Sequence, residues 1–218
     1  YARAWAARSA SRTTGGGSAC GTVSGTNAPP VVAALSNYTI PFNTPFELTA
    51  SATDADNDPL TYNWEQNDPA ASATNYPSTT DDDDVSLVFR PGFRSYLPRV
   101  GASRMFPSLT YVLNNANEAP VFFTGTSAVG SICAAECITG EDLPSAARTM
   151  NFSVTVRDGK GGISDQATVL TVVNTTNPFS VNEPTGIWRA NGTATVTWNV
   201  SGTNTAPINA ANVKISLS

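Results

Sequence analysis

The 218-residue chain has no histidine, three cysteines and only 13% charged residues, and each shortage excludes something. Without an imidazole, neither a Ser-His-Asp nor a Cys-His nucleophile system can be assembled, and the His-bearing catalytic zinc sites go with them. Three thiols and no imidazole also make a poor structural zinc site, so no zinc is expected in this chain. No run of about 18 apolar residues occurs, so nothing reads as a membrane span, and no signal peptide is legible at Tyr1. Charge is about half of the roughly 25% usual for a soluble domain. Lysine is nearly missing, with Lys160 and Lys214 against ten arginines. The net charge is −5, and once Arg3, Arg8 and Arg12 are set aside the rest carries about −8, which argues against nucleic acid as a partner.

What is present is Thr, Ser, Asn and Gly among short apolar runs, the composition of a secreted, extracellular β protein. Residues 1–12 (YARAWAARSASR) place Tyr1, Ala4, Trp5 and Arg8 on one helical face and are followed by the linker-like TTGGGSACGT. Residues 1–26 are therefore expected to be a short helical tail of an upstream domain plus a Gly/Ser linker. From Asn27 onward the punctuation is Pro, Gly, Asn and Asp, and strands are predicted over Val31 to Ala34, Phe46 to Thr53, Leu60 to Glu65, Val85 to Phe89, Asn151 to Arg157 and Ile163 to Val173. The last two flank the Gly-rich turn Asp158 to Gly162 and predict a hairpin.

The fold class expected is all-β. Residues 27–174 are predicted to form an immunoglobulin-like sandwich with a long irregular insertion at about 66–148, because strands are sparse there. Residues 175–218 read as the first strands of a second sandwich, through PFSVNEP, TATVTWNVSG and NVKISLS. Cys133 and Cys137, four apart, suit a small disulfide loop in an oxidising compartment, with Cys20 left over or competing for one of them.

Several segments in order carry a resemblance: NAPPVV, YTIPFNTPFELTASATDADNDPLTYNWEQND, FRSYLP followed by SRMFPSL, EDLPSAARTMNFSVTVRDGKGGISD, and PFSVNEPTGIWRANGTATVTWNVSGTNTAPINAANVKISLS. From about Asn27 to Ser218 the chain resembles the non-catalytic C-terminal region of bacterial reprolysin-like (metzincin) zinc metallopeptidases. The resemblance implies immunoglobulin-like or fibronectin-like sandwiches that follow a catalytic domain in a secreted bacterial polypeptide. It also implies an accessory role in spacing, stabilisation, or attachment to substrate or surface. The catalytic motif of such enzymes, HExxHxxGxxH, has no counterpart in a chain without histidine, so this chain is not expected to be an enzyme, although its parent polypeptide would be a metalloendopeptidase. The chain departs from the family pattern at Asn63, where relatives often carry a cysteine before Trp-Glu-Gln. The alternative is a structural or adhesive subunit of an extracellular filament or cell-surface assembly, its partial second sandwich completed by a neighbouring subunit's strand.

Asp54, Asp56 and Asp58 alternate in TDADNDP between two predicted strands, and the loop holding Asp158 is expected at the same end of a sandwich. Converging carboxylates suit calcium, a hard cation that takes six to eight oxygens, so Asp54, Asp56, Asp58 and Asp158 are the candidate ligands. The competing reading is that these are Asx-turn residues capping backbone N–H groups. An EF-hand is excluded because Pro59 stands where its glycine belongs and LTYNW reads as strand. Arg90, Arg94, Arg99 and Arg104 read as ties for a long loop, against the Asp81 to Asp84 run, or as an anion-binding patch. Trp64, Trp188, Trp198, Tyr62 and Phe152 read as core, with a glycan-stacking surface as the alternative. Sequons at Asn37, Asn151, Asn174, Asn191 and Asn199 matter only in a host that glycosylates them.

Overall fold

The computed structural model describes residues 27–68, 91–114, 119–127, 132–182 and 192–213. The helix expected over 1–12, Cys20, the strand expected over 85–89, the Asp81 to Asp84 run and Trp188 fall outside the described residues. Those described are all-β apart from one six-residue helix. In chain order the elements are β1 (Val31–Val32), β2 (Tyr38–Pro41), β3 (Phe46–Thr49), β4 (Ala52–Thr53), β5 (Thr61–Gln66), β6 (Ser103–Phe106), α1 (Leu109–Asn114), β7 (Phe122–Thr126), β8 (Ile132–Ile138), β9 (Arg148–Arg157), β10 (Ile163–Val173), β11 (Ser180–Val181) and β12 (Trp198–Asn199).

The largest sheet has the order β2-β10-β9-β5, antiparallel except where β2 runs parallel to β10. Its centre is the predicted hairpin. In RTMNFSVTVR every second residue is apolar, and Met150, Phe152, Val154 and Val156 are all fully buried while Thr149 and Asn151 are exposed, the period of a strand with one face on a core. β10 turns Thr168, Leu170 and Val172 to the same interior, and β5 adds Trp64. Trp64 can be buried because its indole Nε1 donates to the Ala102 carbonyl at 3.0 Å.

The run Phe46 to Thr53, predicted as one strand, changes partner midway. β3 pairs with β6, Phe46 opposite Phe106, whereas β4 pairs with β1, Val31 opposite Thr53. The backbone joins the two halves through Ala50 N–H to Ala102 and Ala33 N–H to Ser51 O. Phe46 and Leu48 from β3 and Phe106 from β6 meet Phe152 of the large sheet, and Phe93 completes an aromatic cluster with ring centroids 5.0 to 6.2 Å apart. Side chains of this kind are worth roughly 1.5–3 kcal/mol each on burial, so this cluster is the main fastening between the β3–β6 pair and the four-stranded sheet.

Phe93, Phe106 and Leu143 all come from the stretch read as an insertion over 66–148, so part of that stretch belongs to the core. β6 was missed because SRMF offers little alternation. α1, also unforeseen, opens after Ser108, whose carbonyl accepts from the Tyr111 and Val112 N–H groups. β7 and β8 form a separate two-stranded sheet closed by the disulfide Cys133–Cys137, the pairing that their spacing suggested. Beyond Asn177 only Ser180–Val181 and Trp198–Asn199 pair as strands. TATVTWNVSG is therefore not the full strand expected, since residues 192–197 are irregular and residues 201–208 form successive turns.

Candidate functional site

The loop after β4 and the β9–β10 turn are brought together by the segment that precedes β1. Asn27 Nδ2 donates to Asp158 Oδ2 at 2.7 Å, and one residue on Ala28 N–H donates to Asp56 Oδ2 at 2.7 Å. Two successive residues thus lock the entry of the chain to both loops. Ser164 Oγ adds a bond to the Pro30 carbonyl. Lys160 Nζ stands 3.9 Å from Asp58 Oδ1, a solvent-exposed pair that contributes little.

In the first loop Asp54 organises its own turn. Its Oδ1 accepts from the N–H groups of Asp56 at 2.9 Å and Asp58 at 3.1 Å, and Asn57 takes a left-handed conformation (φ 60°) that suits an asparagine. This is the Asx-turn arrangement. It does not exhaust the carboxylates, because one ligand oxygen from each of Asp54, Asp56 and Asp58 lies within 4.8 Å of the others. Asp54 Oδ2, moreover, is buried with no hydrogen-bond partner. Three convergent carboxylates, one with an orphaned oxygen, are a donor set that fits a hard divalent cation.

Asp158, the fourth expected ligand, is at the same end but outside this cluster, and its chemistry differs. The residue is only 2% exposed. Its Oδ1 accepts from Lys160 N–H at 2.7 Å and Gly162 N–H at 2.9 Å, and its Oδ2 from Gly162 N–H at 3.0 Å as well as from Asn27. Burial acts to raise its pKa, yet the Asn27 amide and the backbone N–H groups of Lys160, Gly162 and Gly161 outweigh it and hold the carboxyl below its ordinary range. A carboxylate so occupied caps a turn rather than binding an ion. The turn needs its glycines: Gly159 and Gly161 have φ of 71° and 111°, and a Cβ on Gly162 would lie 2.8 Å from Pro29 Cα.

A second polar cluster lies beside β6. Arg104 and Phe106 share a face of that strand, and the Arg104 guanidinium stacks 4.0 Å over the Tyr96 ring and 4.3 Å over Phe106. Its Nη1 donates to Trp64 O at 2.6 Å, and its Nη2 to Arg94 O at 2.6 Å and to Glu141 Oε1 at 3.0 Å. Glu141 is 1% exposed and also accepts from Ser108 N–H at 3.1 Å through Oε2. Burial raises the pKa of Glu141 and lowers that of Arg104, each opposed by the other's charge. Burial and the Glu141 carboxylate together push the Tyr96 phenol far above its ordinary value. The arginines do tie down a loop, as the sequence suggested, but the acid that meets Arg104 is Glu141, and Arg148 pairs with Asp68 at 3.3 Å. Neither Glu141 nor Asn27 carried a sequence signal for these roles.

Of the aromatic residues singled out, Trp64 and Phe152 are core and Tyr62 packs against them, whereas Trp198 is partly exposed. Compared with known protein families, curated proteins and solved structures, the chain matches none.

Proposed function

We propose that residues 27–174 are an immunoglobulin-like β-sandwich module and that the chain is a non-catalytic accessory region of a secreted bacterial zinc metallopeptidase, holding its catalytic domain at a set distance and orientation. The observation that carries the reading is the double lock of Asn27 to Asp158 and Ala28 to Asp56. A chain segment bonded on successive residues to two loops cannot pivot freely, so whatever precedes it is held at a defined angle to the module. Support for the sandwich comes from the aromatic cluster that joins the β3–β6 pair to the four-stranded sheet. The buried acids and bases described above serve packing and turns, which agrees with a module that carries no chemistry of its own. The same reading assigns Ca²⁺ to Asp54, Asp56 and Asp58, where it would stiffen the loop that receives Ala28. The purified chain, assayed on unfolded protein substrates with added zinc, is expected to show no peptidase activity. The polypeptide containing it is expected to lose activity on bulky substrates, but not on short peptides, when Asn27→Ala and Asp56→Ala loosen the entry. Peptidase activity in the isolated chain would overturn this.

A second reading, a structural or adhesive subunit completed by a neighbour's strand, draws on the exposure of Val181, Trp198, Val200 and Val213. Concentration-dependent sedimentation as a polymer, abolished by Trp198→Asp, favours it; a monomer at every concentration removes it.

A further inference from the structure

Beside β6, and away from the acidic loop, lies a cavity of about 170 Å³ whose lining includes Tyr96, Leu97, Arg99, Arg104, Ser108 and Leu109. Its chemistry runs against that of the chain as a whole. Two of its lining residues are arginines and, among the described residues that line it, none is acidic, although the chain carries a net charge of −5. The walls also hold donors without acceptors. Arg104 commits both Nη groups to Trp64, Arg94 and Glu141 and leaves its Nε–H buried with no partner. Ser108 commits its backbone N–H to Glu141 while its hydroxyl stays buried and unpaired. The Tyr96 hydroxyl lies near Glu141 but meets no partner in hydrogen-bonding geometry. Buried donors in that state favour whatever supplies acceptor atoms. At the mouth Leu97 and Leu109 are exposed, at 79% and 53%.

Size limits the ligand. A cavity of about 150 Å³ admits a benzene ring, whereas sites for drug-sized molecules and cofactors run from roughly 300 to 1,000 Å³. A single side-chain-sized group fits, and a nucleotide or an oligosaccharide does not. Donors on the wall, an arginine excess and apolar residues at the rim together select an anion joined to a short hydrocarbon. A carboxylate matches because it is planar, acceptor-only and suited to guanidinium and hydroxyl donors.

We propose that this cavity is a binding site for a carboxylate borne on one apolar group, with the carboxylate against Arg104 Nε, Tyr96 Oη, Ser108 Oγ and Arg99, and the hydrocarbon against Leu97 and Leu109. A free branched-chain acid and the C-terminal residue of a peptide present the same chemistry. The site is independent of the spacing role and of calcium, and it stands or falls separately from them.

The test is a titration of the ¹⁵N-labelled chain, followed by amide shifts, with 4-methylpentanoate, its uncharged amide and N-acetyl-alanyl-leucine. For a ligand this small a dissociation constant on the order of millimolar is expected, with saturable shifts at Leu97, Arg99, Ser108 and Leu109. The amide should bind at least about tenfold more weakly, and Arg99→Gln and Ser108→Ala should each weaken the acid by roughly three- to tenfold while leaving the rest of the spectrum in place. Arg104 is spared because its loss would disturb the core. Tighter binding of the dipeptide identifies a peptide end as the source. Saturation by the free acid with exclusion of the dipeptide identifies a small metabolite, and both results uphold the site. Absence of saturation at tens of millimolar, equal binding of acid and amide, shifts that map elsewhere, or variants that bind as the parent does would each overturn it and leave the cavity to water.

Discussion

Asp158 is the residue on which the two loops and the entry segment converge, and Asp158→Asn is the mildest way to disturb it. In the variant the side-chain oxygen can keep the place of Oδ1, accepting from Lys160 and Gly162 N–H. The new NH₂ then replaces Oδ2 and faces two donors, Asn27 Nδ2 and Gly162 N–H, which held it at 2.7 and 3.0 Å. Hydrogen bonds to a charged group are worth roughly 1.5–3 kcal/mol each, and Asn27 can turn its amide to recover one as a neutral bond. The net loss is therefore about 2–3 kcal/mol, or about 4–12 °C in melting temperature for a chain of this size. The pH dependence gives the cause away. The folded-state pKa of Asp158 lies below its ordinary value of about 3.9, so the parent's advantage is fully present above that value and is lost as pH falls through the folded pKa. The gap between parent and variant should be flat from pH 5 to 8 and close progressively below about pH 4. Chemical denaturation across this range is the assay. A gap under about 0.5 kcal/mol, or one that persists unchanged into strong acid, would refute the assignment of Asp158 as a charged turn cap. Asp158→Ala, which removes all of these bonds, should cost more than Asp158→Asn.

Phe106→Ala removes a fully buried ring stacked 5.0 Å from Phe46 and set edge-on to Phe93 and Phe152; the expected loss is about 3–5 kcal/mol by urea denaturation. Glu141→Ala strands the Arg104 guanidinium, 10% exposed, without its counter-charge, and should cost about 3–5 kcal/mol. Replacing both together by apolar residues of similar volume should cost less than Glu141→Ala alone, a contrast that a denaturation series on the three variants reads directly. Calcium at about 100 times its dissociation constant should stabilise the chain by about 2.7 kcal/mol, raising the melting temperature in scanning calorimetry. Chelator or Asp54→Asn should abolish the rise, and no rise at millimolar calcium would reject the ion.

The parts of the fold legible in sequence are those whose signal is local. β9 and β10 announce themselves because each inward residue from Met150 to Val156 is apolar, each outward one is not, and RDGKGG supplies the glycines and the capping acid between them. The convergence of Asp54, Asp56 and Asp58 follows from alternate spacing in one loop. What escaped is non-local or inverted in sign. β6 hides because the residue that shares its inner face with Phe106 is Arg104, a charge made compatible with burial by Tyr96, Phe106 and Glu141 from other segments. β2 hides because Pro41 ends it and its partner, β10, lies some 130 residues away in a parallel ladder. Asp158 was expected to turn toward the acidic loop. Spacing does not reveal that its own turn and Asn27 supply enough N–H groups to claim both oxygens.

The central claim, a non-catalytic module within a secreted metallopeptidase, is tested most directly by intact mass and peptide mapping of the native polypeptide that contains these residues. The account predicts peptides bearing HExxH on the N-terminal side of Asn27 in the same polypeptide. A native polypeptide in which no zinc-binding helix accompanies residues 27–213 would contradict it.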